Sequence, residues 1–226
     1  MIKLLALISA RPGLSRTEFI EHYESSHVPL IRRHMPGLVE YRRNYLPEAD
    51  AAQLGFDSVT ILCFPDRATF ESAVANTARP EVYAILSADA AAYQDVPKTR
   101  MFEVTEGRSA LPAPAHPPRL KTLALIRRKP GLSREAFMDY YEKQHGPLVP
   151  RLIPQIVDYR RNYLAEEQAE ALGFHSITEI FFEDAARYAA GMTTIQEPAR
   201  FAELCTDEEN FLVRSATRMF VVDERR

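Results

Sequence analysis

The sequence predicts an α+β fold in which one domain is used twice in tandem. The first observation is a gapless internal repeat. Lys3–Leu46 aligns on Lys121–Leu164 at an offset of 118 residues (121 − 3), with more than half of the positions identical. The second is that the offset persists to the end of each copy. Gly55-Phe56 matches Gly173-Phe174, Asp66 matches Asp184, Asp89 matches Asp207, and Arg100-Met101-Phe102 matches Arg218-Met219-Phe220. The third is a common order of apolar runs and helical stripes, β-α-β-β-α-β, which is the ferredoxin-like order. A repeat of roughly 100 residues is domain-sized and far longer than a solenoid unit.

Taken in order, Lys3–Ser9 is a short apolar run closed by Arg11-Pro12-Gly13 and reads as the first strand. Its repeat equivalent lies mid-chain, so the apolar start is read as a strand and not as a leader. Ser15-Arg16-Thr17-Glu18 forms a capping box, and Phe19, Ile20, Tyr23 and His27 make one buried helical stripe that Pro29 is expected to stop. Ser133 keeps the cap in the second copy, but Ala136 replaces the glutamate and weakens it. Leu38–Leu46 is the second strand, 47–55 a polar loop, and Phe56–Phe64 a third strand of high β-propensity. Asp66 caps a second helix with Phe70, Ala73 and Val74 as its apolar face. A further helical piece runs from Pro80 to about Ser87, Asp89–Tyr93 returns the chain, and Lys98–Val104 is the fourth strand. These elements give domains at 1–106 and 119–226, joined by a proline-rich, semi-rigid linker at 107–118. The charged C-terminal residues are expected to fray. A four-stranded sheet with helices on one face leaves the other bare. The two copies are therefore expected to pack as a pseudo-dimeric α/β barrel within one chain, with a further homodimer also open.

The bulk numbers exclude several functions. With 28 Lys and Arg against 31 Asp and Glu, the net charge of −3 gives no electrostatic pull toward nucleic acid or anionic membrane. The two cysteines, Cys63 and Cys205, are not repeat equivalents and make neither a disulfide framework nor a metal site, which favours a reducing cytoplasm. The eight glycines form no nucleotide fingerprint, and no Cys/His cluster suggests a metal.

The pattern Pro-Gly-Leu-Ser-Arg, then Phe, Tyr-Glu and His-x-Pro-Leu, and later Tyr-x-x-Asn and Gly-Phe-Asp, resembles the EthD-like family of the dimeric α/β barrel superfamily. The resemblance covers about 1–106 and 119–224. It implies ferredoxin-like domains that pair into a barrel, here by fusion. It also implies chemistry without metal or organic cofactor on aromatic or polyketide-like molecules, as cyclase, dehydratase, decarboxylase or isomerase. Other members are accessory proteins of degradation pathways. Oxygen-using and haem-binding relatives occur elsewhere in the superfamily.

The candidate residues divide accordingly. His27 and His145 match the family's histidine; each either transfers protons or holds the helix end beside its proline turn. Asn44, Asn162, Tyr41 and Tyr159 lie on the second strand of each copy, where they either position an aromatic substrate or simply pack. Arg43 and Arg161 either hold a carboxylate or pair with acidic residues. The third strand is where the copies differ: Asp57, a further acid/base candidate, aligns with His175, and Ile61 with Glu179. Alternation places His175 and Glu179 on one face, roughly 13 Å apart, where both could border one cavity. A carboxylate in so apolar a strand needs a partner or a raised pKa, making Glu179 the leading candidate for chemistry and a buried ion pair its alternative. The expected function is cofactor-independent lyase or isomerase chemistry. A non-catalytic small-molecule-binding accessory, and a monooxygenase or haem-binding relative, are the alternatives.

Overall fold

A computed structural model describes all 226 residues, Met1–Arg226, as two compact units. Unit 1 comprises Met1–Glu103 with Asp223–Arg226, and unit 2 comprises Val104–Val222. Relative to the repeat boundaries, unit 1 includes the last four residues, and unit 2 begins before the proline-rich stretch.

In unit 1, strand β1 (Ile2–Ile8) leads through the capped turn into α1 (Arg16–His22). The capping box is present: Ser15 Oγ accepts from Glu18 N at 3.2 Å, and the Glu18 carboxylate accepts from Ser15 N at 2.8 Å. The helix does not stop at Pro29. It passes through a π turn at Tyr23–His27 and continues as α2 (Val28–His34). The physical reason is the wider turn. Val28 N–H bonds the carbonyl five residues back, on Tyr23. A proline just past such a turn escapes the clash with the carbonyl four residues before it and needs no N–H of its own.

Strand β2 (Glu40–Tyr45) follows, then β3 (Ser58–Phe64). The segment expected to be a loop between them is a helix, α3 (Glu48–Leu54), closed by Gly55 at φ 79°. Its glutamate and alanines favour a helix, and the left-handed glycine ends it. Asp66 caps α4 (Arg67–Thr77) as expected, with Ala73 buried, but Val74 is exposed. The return segment at Asp89–Tyr93 is instead the end of one long helix, α5 (Pro80–Tyr93), and β4 (Arg100–Glu103) closes the repeat. The sheet order is β4-β1-β3-β2, all antiparallel, and Asp223–Arg225 pair with β2. The expected frayed end is thus hydrogen-bonded strand.

Unit 2 repeats the plan. It starts with β5 (Thr105–Arg108), so the expected linker begins inside a strand. Next come β6 (Leu120–Ile126), α6 (Arg134–Tyr140), a π turn at Tyr141–His145, α7 (Gly146–Leu152) and β7 (Ile156–Tyr163). Then follow α8 (Glu166–Leu172), β8 (Ser176–Phe182), α9 (Ala185–Ile195), α10 (Pro198–Glu208) and β9 (Arg218–Arg225). Residues Arg218–Val222 of β9 pair with β6, giving the order β9-β6-β8-β7-β5. Ser133 caps α6 without a reciprocal carboxylate. No helix is long and apolar enough to cross a membrane.

In each unit the tyrosine face of the second strand meets the helices. Tyr41 and Tyr45 pack with Phe19, Tyr23 and Tyr93, and Tyr159 and Tyr163 with Phe137, Tyr141 and Phe211. The opposite faces are also buried, including Asn44, Val59 and Ile61 in unit 1 and Asn162, Ile177 and Glu179 in unit 2. Glu179 is fully buried there: its Oε2 lies 2.6 Å from Lys121 Nζ, and its Oε1 accepts from Asn162 Nδ2 at 3.1 Å. Asn44 and Asn162 donate to the carbonyls of Val59 and Ile177, at 2.7 and 2.8 Å.

Asp57 and His175 do one job in two chemistries. Asp57 Oδ2 accepts from Ala10 N at 2.7 Å, and His175 Nδ1 accepts from the repeat-equivalent Arg128 N at 3.3 Å. Each fastens the end of the first strand to the start of the third. Burial, followed by the nearby Arg128 guanidinium, lowers the His175 pKa.

Two predictions follow from this packing. Glu179→Gln removes a charge beside a buried ammonium and should cost about 3 kcal/mol of unfolding free energy. The double variant Lys121→Met/Glu179→Met should recover more than half of that loss in denaturant titrations. The second concerns pH. Because the folded state lowers the His175 pKa, its contribution is complete above the unfolded value near 6.5 and is lost as pH falls through the folded value. Protonating Nδ1 also removes the acceptor for Arg128 N–H. Melting temperatures measured from pH 7.5 to 5.5 should therefore fall less in His175→Asp, which installs the acceptor used in unit 1, than in the wild type.

Candidate functional site

The π turn directs three side chains of each unit inward, the tyrosine and glutamate to the sheet and the histidine to the helix packed beside it. In unit 2 these are Tyr141, Glu142 and His145. Glu142 grips β7: Arg161 Nε donates to Oε1 at 3.0 Å, a second guanidinium nitrogen donates to Oε2, and Tyr163 O–H donates to Oε1 at 2.6 Å. Arg161 also donates to Ser109 Oγ at 2.7 Å and to the Tyr159 carbonyl at 3.0 Å. Its donors are occupied by protein groups, as are those of Arg43, which bonds Glu24 and the Tyr41 carbonyl. Both arginines take the acid-pairing role.

Beside this anchor, between the sheet and the helices of unit 2, lies a cavity of about 200 Å³. Strands β6 to β8 contribute Ala124, Ile126, Tyr159, Thr178, Ile180 and Phe182, and the helices contribute Tyr141, His145, Val149, Met192, Leu204 and Glu208. The alternation of β8 explains the floor: Thr178, Ile180 and Phe182 face the cavity, and Glu179 faces away. Tyr141 lines it too, its O–H 2.9 Å from Thr178 Oγ1 and 3.2 Å from Tyr159 O–H. Burial pushes the Tyr141 hydroxyl up to about 12 and that of Tyr159 well above its ordinary value, so both stay protonated.

His145 is the one imidazole among the residues lining this cavity. Its Nδ1 is 2.5 Å from Asp207 Oδ2, and its ring stacks obliquely on Phe211 at 4.8 Å. An ionised carboxylate only accepts, so the contact places a proton on Nδ1, and in the neutral ring the lone pair is then on Nε2. Asp207 is held in turn by Tyr140, whose hydroxyl lies 3.1 Å from Oδ1 and accepts from Asn210 Nδ2 at 2.9 Å. Unit 1 builds the same bridge with a different outer residue. Asp89 bonds His27 Nδ1 at 2.7 Å and His22 Nε2 at 2.9 Å. Burial lowers the His27 pKa against the pull of Asp89. His22 therefore has a defined partner in Asp89.

The structure thus brings together His145, Tyr159 and the Tyr141–Thr178 pair, and in unit 1 His27 with Tyr41 across Tyr23. It does not bring together Glu179 and His175. His175 lies before β8 begins, edge-on to Phe137, and neither residue lines the cavity. The residues that sequence reasoning missed are Asp207 and Asp89, Glu142 and Glu24, and Glu208. The signal for the first two pairs was in the repeat itself, where acidic residues match at an offset of 118. No group of three or more His, Cys, Asp and Glu side chains is arranged to hold a metal ion.

Comparison with known proteins agrees with this architecture. No curated protein matches the chain. Among solved structures, one named "putative monooxygenase" from Fusobacterium nucleatum superposes with a TM-score of 0.61 at 10% identity, covering 100% of this chain and 92% of that one. Another of the same name, from Lactobacillus acidophilus NCFM, gives 0.58 at 11% identity, with 99% and 93% covered. An anthrone oxidase-like protein gives 0.57 at 10% identity, with 99% and 92% covered. At such identities the likeness is one of fold, that of the dimeric α/β barrel proteins. The EthD domain model matches residues 11–97 and 129–215. The chain is a member of the EthD family, carrying two EthD domains in tandem.

Proposed function

We propose that the unit 2 cavity binds a small aromatic or polyketide-derived compound and moves a proton on it, giving lyase or isomerase chemistry without a cofactor. The observation that carries this reading is His145. Its Nδ1 is fastened to Asp207, and its Nε2 accepts from no protein group in a cavity lined mainly by apolar side chains. A neutral imidazole oriented by a carboxylate is a general base, and the same carboxylate stabilises the imidazolium that forms.

The step balances without further reagents. Nε2 takes a proton from a carbon next to a carbonyl, and the electron pair moves onto the carbonyl oxygen. The neutral hydroxyls of Tyr141 and Tyr159 are donors for that developing oxyanion. Return of the proton to a different carbon is an isomerisation. Departure of a β-hydroxyl, which takes the proton and leaves as water, is a dehydration. Cavity size limits the substrate. An apolar cavity of ~150 Å³ holds a benzene ring, so 200 Å³ suits one ring with substituents or a compact fused pair.

The test is hydrogen–deuterium exchange into 2-indanone in D2O, followed by mass spectrometry, together with oxygen uptake. Wild-type protein should catalyse exchange without consuming oxygen, and His145→Gln should lose it by about 100-fold or more. Asp207→Asn, which offers Nδ1 an amide in place of a carboxylate, should lose about tenfold or more. Exchange undiminished in His145→Gln would sink the reading. Binding of the ketone with no exchange would favour an accessory binding protein, and oxygen uptake would favour monooxygenase chemistry.

A further inference from the structure

One cavity residue carries a carboxylate that its equivalent in the other half lacks. Glu208 ends α10 beside Asp207, and its repeat equivalent in unit 1 is Ala90. Its side chain is 19% exposed, and Oε2 accepts from Arg214 Nε at 2.6 Å. Oε1 accepts from no protein donor, which leaves one open acceptor on the cavity wall. Among the lining residues Glu208 is the sole carboxylate, and no lysine or arginine lines the space. Arg214 itself is not a lining residue; its guanidinium lies over the Phe201 ring at 5.6 Å.

We propose that Glu208 sets the specificity of this cavity, selecting neutral aromatic ligands that carry a hydroxyl donor and rejecting carboxylates. The proposal rests on the reading of the unit 2 cavity as the ligand site, and it deepens that reading by naming the ligand class. A phenolic O–H entering an enclosed, nearly apolar space loses its hydrogen bonds to water and recovers one at Oε1. An unsubstituted ring gains nothing there. A ligand carboxylate finds no lysine or arginine lining the space, meets Glu208 as a like charge, and cannot supply the hydrogen that Oε1 lacks. Specificity of this kind comes from a polar group left unpaired by the wrong ligand, together with a charge that repels it.

The experiment is calorimetric titration with three probes of similar size: 4-ethylphenol, ethylbenzene and 4-methylbenzoate. Wild-type protein should bind the phenol about tenfold tighter than ethylbenzene and about 100-fold tighter than the benzoate. Glu208→Gln keeps an acceptor and nearly the same volume, so it should hold the phenol preference while binding the benzoate about tenfold better. Glu208→Leu should lose the preference of phenol over ethylbenzene. The ordering should survive in His145→Gln, which separates this proposal from the acid–base reading. Loss of exchange chemistry with intact selectivity at Glu208 would touch only the latter. A phenol preference that persists in Glu208→Leu, or that vanishes with His145, overturns the specificity assignment. Failure of wild-type protein to bind any of the three overturns the cavity as a ligand site, and both readings with it.

Discussion

In each half of the molecule a glutamate on a π turn fixes how the helix meets the sheet. Glu24 and Glu142 each hold a buried arginine and a buried tyrosine hydroxyl of the second strand, Arg43 with Tyr45 and Arg161 with Tyr163. Two buried guanidinium groups are costly unless paired, and these are paired with both forks of a carboxylate and with backbone carbonyls. The carboxylate that reaches them sits in the widened turn itself. The same turn carries Tyr141 one residue before the anchor and His145 three residues after it. Anchor and candidate chemistry therefore share one turn of backbone. The helix is distorted where the side chains must be aimed, a common use of π turns.

The two copies then diverge on a conserved frame within the chain. Asp89 and Asp207 each bridge a buried histidine and an outer partner, but that partner is His22 in unit 1 and Tyr140 in unit 2. Tyr93 in unit 1 takes the place of Phe211 in unit 2, and both pack on the histidine ring. Ala90 opposes no charge where Glu208 places one. Duplication supplies two equivalent shells, and a handful of side chains gives unit 2 a cavity with its own polarity.

Much of the fold was legible because its determinants are local. Strand runs, the Ser15 and Asp66 caps and the repeat register all follow from short-range pattern. The errors have physical causes. The rule that a proline such as Pro29 stops a helix holds for regular helices, and a π turn changes which carbonyl the ring must avoid. The alanine-rich segment before Gly55 was read as a loop, although its composition and the glycine after it describe a short helix. The site was less legible because it is assembled over long separations. His145 and Asp207 are 62 residues apart and meet only once α10 packs on the π turn. Alternation placed His175 and Glu179 together, but His175 precedes the strand and binds a neighbouring backbone amide instead. Glu179 was recognised as needing a partner, and Lys121, the residue that provides one, sits two positions from the cross-strand neighbour Leu123.

The central claim is that His145 presents an unprotonated Nε2 to a ligand-sized space because Asp207 holds the proton on Nδ1. Nitrogen-15 NMR of the imidazole reads this directly, with Asp207→Asn to assign the signal. The account predicts the Nδ1–H tautomer at neutral pH, with an Nε2 resonance that moves when 4-ethylphenol is added. An Nε2–H tautomer, or an Nε2 resonance indifferent to a ligand that calorimetry shows to be bound, would contradict it.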